Sequence, residues 1–155
     1  MRRAILIPLF VLIGCGGGGG GSGPVFAGTW RGSMVLTQNT CQDPSVNFDA
    51  VHTVNENGEA IALRTQNGTD YAGFSNGASG FSVTHQFQDQ CVRVSDGQPV
   101  PNSFAQTLVT ITYEVTEDSA QVTILEDIGN CTQNPANFSS ACKITHEGRL
   151  TRDES

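Results

Sequence analysis

Hydrophobic side chains recur at every second residue in eight separate runs, and that two-residue period restricts this chain to β-sheet. Trp30, Gly32, Met34 and Leu36 alternate with Thr29, Arg31, Ser33 and Val35. Phe48, Ala50, His52 and Val54 repeat the pattern, and Asn55-Glu56-Asn57-Gly58 supplies an Asn-Gly hairpin turn into a third run, Ala60 to Thr65. Asn67-Gly68 precedes a fourth, Thr69 to Phe74, and Asn76-Gly77 turns the chain into a fifth with Phe81, Val83, His85 and Phe87. The sixth holds Val109, Ile111, Tyr113 and Val115. Glu117-Asp118-Ser119 leads from it to Ala120, Val122 and Ile124, and the last run holds Ile144, His146, Gly148 and Leu150. No segment carries a helical period. Eight antiparallel strands in sequence predict an all-β domain over residues 25–155, a single eight-stranded up-and-down barrel whose closure removes exposed edges. A two-sheet β-sandwich is the alternative.

A meander of this kind places odd-numbered connections at one end and even-numbered ones at the other. The second, fourth and sixth are tight: Asn55 to Gly58, Asn76 to Ser79, Glu117 to Ser119. The first, fifth and seventh are long: Thr40 to Ser45, Gln88 to Phe104 and Glu126 to Ala141. Cys41, Cys91, Cys131 and Cys142 all fall in or beside these long connections, so they should share one end of the barrel. An even number of cysteines in an exported chain reads as disulfides. The pairs expected are Cys41–Cys91, joining the first connection to the fifth, and Cys131–Cys142, within the seventh. Zinc is not expected, because no Cys-x-x-Cys pair is present.

The N-terminus supplies an address. Met1-Arg2-Arg3 is a short positive segment, and Ala4 to Ile13 is an apolar run too short to span a bilayer as a lasting helix. Leu12-Ile13-Gly14-Cys15 closely resembles the lipobox of bacterial lipoproteins, in which cleavage precedes the cysteine and acyl chains such as palmitate are then attached to it. The resemblance implies a signal peptide over residues 1–14, lipidation of Cys15 and a Gly-rich tether over residues 15–24. Two or more acyl chains hold a protein stably on a membrane. Gly16 follows Cys15 with no aspartate there, which by the sorting rule of enteric lipoproteins implies the outer rather than the inner membrane. The domain would then stand in the periplasm or at the cell surface.

Removal of residues 1–14 leaves six Lys and Arg against fifteen Asp and Glu, a net charge of −9. Lys143 is the single lysine. Such a surface cannot displace counterions from a phosphate backbone, which excludes nucleic acid as a partner.

Phe26-Ala27-Gly28-Thr29-Trp30 resembles the first-strand Gly-x-Trp signature of the lipocalin and wider calycin group. The resemblance implies that Trp30 plugs the closed end of the barrel beneath an arginine from the end of the last strand, a role open to Arg149 or Arg152. The long C-terminal helix of true lipocalins is absent. Avidin-like biotin binding is disfavoured, since that family lines its pocket with several tryptophans and this chain has one.

Candidate chemistry is sparse. Gly73-Phe74-Ser75-Asn76-Gly77 matches the Gly-x-Ser-x-Gly pattern of serine hydrolases, but a nucleophile elbow needs a strand running into a helix, and here a hairpin turn follows. His52, His85 and His146 each fall on the apolar register of their strands. Three imidazoles pointing inward could grip a polar or anionic ligand or a metal, with Tyr113 and Phe87 beside them; a one-residue shift of register would turn them all outward. The reading adopted is a non-enzymatic barrel without cofactor. It would bind a small apolar or amphipathic ligand at the disulfide-tied end, with the membrane as partner through the lipid anchor. The alternative is a side-chain-filled barrel whose stapled loops bind an envelope protein.

Overall fold

A computed structural model describes residues 26–41, 44–93, 95–133 and 138–153. Cys15 and the glycine tether lie outside the described residues. The eight strands are β1 (Gly28–Asn39), β2 (Phe48–Asn57), β3 (Ala60–Thr65), β4 (Asp70–Ser75), β5 (Gly80–Val92), β6 (Pro99–Thr116), β7 (Ser119–Gly129) and β8 (Ser140–Arg152). Each pairs antiparallel with its neighbour in sequence, and β1 pairs with β8, closing an up-and-down barrel. The helical turn Gly77–Ser79 lies between β4 and β5.

The inward register is the one the alternation predicts. Trp30, Met34, His52, Val54, Phe81, Val83, Tyr113, Val122, His146 and Leu150 are all buried. Outward positions between them carry Arg31, Thr84, Glu114, Gln121 and Glu147, all exposed. Burial of these apolar side chains is the main term favouring the fold, at about 1.5–3 kcal/mol for each large one.

Closure at the β1–β8 seam depends on two glycines that allow the backbones to approach. A Cβ on Gly32 would lie 2.2 Å from the Arg149 carbonyl oxygen, and one on Gly148 would lie 2.3 Å from the Ser33 carbonyl oxygen. Neither site can accept a side chain without moving the partner strand.

Two expectations are corrected. The disulfides are Cys41–Cys142 and Cys91–Cys131. Pairing within one connection overlooked closure: because β1 lies against β8, the end of β1 and the start of β8 are adjacent, and the Cys41 and Cys142 Cα atoms stand 4.9 Å apart. Cys91 and Cys131 flank β6, whose Phe104 pairs with Gln90 on one side and bridges Thr132 on the other. All four cysteines do lie at the same end. The second correction concerns length. Much of the segment from Gln88 to Phe104 is strand, since β5 and β6 stay paired as far as Val92 and Pro99. Likewise β7 runs to Gly129 and β8 begins at Ser140.

Candidate functional site: a cavity above an aromatic floor

The lumen is filled at one end and hollow at the other. At the filled end Trp30 is fully buried, and its Nε1 donates to the Phe26 carbonyl oxygen at 2.9 Å. The Phe26 ring meets Phe81 edge-on at 5.3 Å, and Tyr113 stacks on Phe81 at 4.4 Å while meeting Trp30 edge-on at 5.7 Å. Quadrupole-favoured geometry of this sort adds about 0.5–1.5 kcal/mol per ring pair beyond area burial. Arg152 caps the plug: its guanidinium lies 5.5 Å from the Trp30 ring centroid and also pairs with Asp118. Arg149 lies on the outward register, exposed, and donates to the Ser119 hydroxyl at 2.9 Å. Of the two arginines, Arg152 is the one placed over the tryptophan.

Above this plug His52 Nδ1 and the Tyr113 hydroxyl share a 2.6 Å hydrogen bond. Both groups are buried, and burial pushes the imidazole down to about 4 and the phenol up. The pair is therefore neutral at pH 7 and satisfies itself, so it can form a dry floor.

Over that floor opens a cavity of about 440 Å³. This lies within the range of about 300–1,000 Å³ usual for small-molecule sites. Ala50 and His52 of β2, Ile111 of β6 and Ile124 of β7 line its lower wall, and Val109, paired with Glu126, stands one inward step higher on β6. Phe48, Tyr71, Phe87 and Glu126 line the upper part. The wall is lowest at β3 and β4, which have six residues each, and there the cavity reaches the Gln66-Asn67 turn.

The sequence-derived candidates disperse around this cavity. His52 and Phe87 line it, with Tyr113 beneath His52. His85 is half-buried, its Nδ1 2.7 Å from the Asp70 carbonyl oxygen and its ring 4.4 Å from Phe87. His146 is buried against Phe48 at 5.0 Å, with Nε2 3.2 Å from the Val46 carbonyl oxygen. Each imidazole has its own local partner, so the three inward histidines do not form one constellation. Among the described residues no three His, Cys, Asp or Glu side chains are grouped to hold a metal ion. Ser75 ends β4 and is followed by a single helical turn and then β5, so its motif runs from strand to strand.

The sequence reading passed over Tyr71 and Glu126. Glu126 was assigned to a connection, yet it continues the inward register of Val122 and Ile124 on a β7 that extends to Gly129. The signal was the period itself, hidden because the position carries a charge.

A second depression of about 470 Å³ lies on the outer face, over Ala60, Ala62, Ala72 and Phe74. It is more apolar but is walled by one sheet surface only. The lumen is enclosed by the barrel wall and offers polar groups at fixed depths, the usual makeup of a small-molecule site.

Compared with family models, curated proteins and solved structures, the chain finds no significant match.

Proposed function

We propose that this protein is a lipid-anchored envelope lipoprotein whose barrel carries a small apolar or amphipathic molecule in its open half, without catalysing a reaction on it. The cavity of about 440 Å³ above the His52–Tyr113 floor carries this reading. An interior packed only for stability would be filled along its whole length, whereas here the packing stops half-way.

The Leu12–Cys15 lipobox resemblance supports anchoring, and the Gly-x-Trp segment with Arg152 over Trp30 supports kinship of architecture with the calycin group. Chain direction supports an orientation. Phe26 sits at the plugged end, its backbone N–H donating to Glu56 Oε2 at 2.9 Å, so a tether from Cys15 would join the barrel there. The mouth would then face away from the lipid.

Native mass spectrometry of the protein, extracted in mild detergent from its own membranes, tests the reading. A bound mass of a few hundred daltons, lost on denaturation, is expected. A clean apo mass, with no small molecule taken up from a total lipid extract, would overturn it.

A further inference from the structure

Glu126 is the one carboxylate, and the one formally charged side chain, among the described residues that line the cavity. It is held on β7 opposite Val109 of β6 and Ile144 of β8, one inward step above Ile124. Backbone pairing on both sides fixes its depth, so it is built into the wall rather than carried on a loop. Its field crosses the lumen: burial first, and then the Glu126 carboxylate, raise the phenol of Tyr71 on β4. His52, at the floor, is neutral.

The same upper wall is aromatic. Phe48, Tyr71 and Phe87 all line the cavity, and Phe48 is 38% exposed. Aromatic faces together with a carboxylate are the combination that attracts an organic cation, the rings through their quadrupoles and the carboxylate through its charge. An anionic head would instead meet Glu126 in a half-enclosed site on a chain of net charge −7.

We propose that the cavity selects cationic amphiphiles, in which an ammonium group meets Glu126 and the aromatic rim while an apolar body descends past Ile111 and Ile124 to the floor. This rests on the reading of the cavity as a ligand site, and it assigns that site a sign. Fatty acids, the obvious apolar candidates for a barrel, become the disfavoured class.

Three ten-carbon probes separate the two ideas: decylamine, 1-decanol and decanoate, titrated calorimetrically into the domain at pH 7 below their aggregation concentrations. Decylamine is expected to bind at least tenfold more tightly than 1-decanol, and decanoate more weakly than either. Glu126→Gln should bring the amine down to the alcohol, whereas Glu147→Gln, which removes the same charge from the outer face of β8, should leave the ratio unchanged. Equal or tighter binding of decanoate, or an amine-to-alcohol ratio that survives Glu126→Gln, would overturn the selectivity while leaving the ligand site standing. Failure of all three probes, with native extracts also giving an apo mass, would remove the site itself.

Discussion

Acid should destabilise this barrel through His52 by a calculable amount. The imidazole is 2% exposed and hydrogen-bonded to the Tyr113 hydroxyl, and that phenol stacks on Phe81. Burial lowers its folded pKa from 6.5 to about 4. Above pH 6.5 the imidazole is neutral in both states and contributes no pH dependence. Between 6.5 and about 4 the unfolded chain takes up a proton that the folded chain refuses, so stability falls as pH falls. Below about 4 both states are protonated and the loss is complete. The gap corresponds to about 3 kcal/mol. Urea unfolding at pH 7, 6, 5 and 4, with disulfides intact, measures it when the protein is compared with His52→Asn, whose amide puts a non-titrating polar atom near the Nδ1 position. The stability difference between the two should move by about 3 kcal/mol against the histidine protein across that range. Other titrating groups are common to both and cancel. Parallel curves would refute the claim that the floor is dry and His52 neutral within it.

Four further outcomes follow from particular contacts. Removing the Cys41–Cys142 bridge by a double change to serine frees a separation of 101 residues, which chain entropy values at about 4.7 kcal/mol, against about 3.9 kcal/mol for the 40 residues between Cys91 and Cys131. Thermal unfolding should therefore rank the first loss as the larger, and non-reducing peptide mapping should recover these two pairs. Gly32→Ala should cost at least about 2 kcal/mol in urea unfolding, since its methyl would meet the Arg149 carbonyl oxygen. Arg152→Ala should lower stability by about 1 kcal/mol and Arg149→Ala by less than about 0.5 kcal/mol, because only the former lies over Trp30. Cys15→Ser should move the domain from the membrane to the soluble fraction on cell fractionation with its melting temperature unchanged; continued membrane retention would count against the lipid anchor.

The strand order, the inward register and the common end of the cysteines were legible from the period-2 pattern and the tight turns, because local alternation decides which face of a sheet each side chain takes. What the pattern could not convey was contact between distant segments. Cys41 and Cys142 meet only because β1 closes on β8, a relation with no local signature. The outer parts of β5 and β6 were read as loop because Asp89 puts a charge on the inward register after Phe87 and prolines open β6 at Pro99 and Pro101. The two strands hold their geometry there through the pairing of Gln88 with Gln106, Gln90 with Phe104 and Val92 with Pro99, and through the Cys91–Cys131 tie. Ending the seventh run at Ile124 hid Glu126. A search for apolar residues stops at a charge, and in a barrel that binds something the informative inward position is the one that breaks the rule.

The central claim is that this barrel binds its ligand in the lumen, between the His52–Tyr113 floor and Glu126. Methyl-resolved NMR of the folded domain, titrated with the molecule that native extraction recovers or with decylamine, tests it most directly. Saturable shifts at the Val109, Ile111 and Ile124 methyls are predicted, with Ala60, Ala62 and Ala72 on the outer face unmoved. Shifts confined to those outer alanines, with the lumen methyls silent, would contradict it.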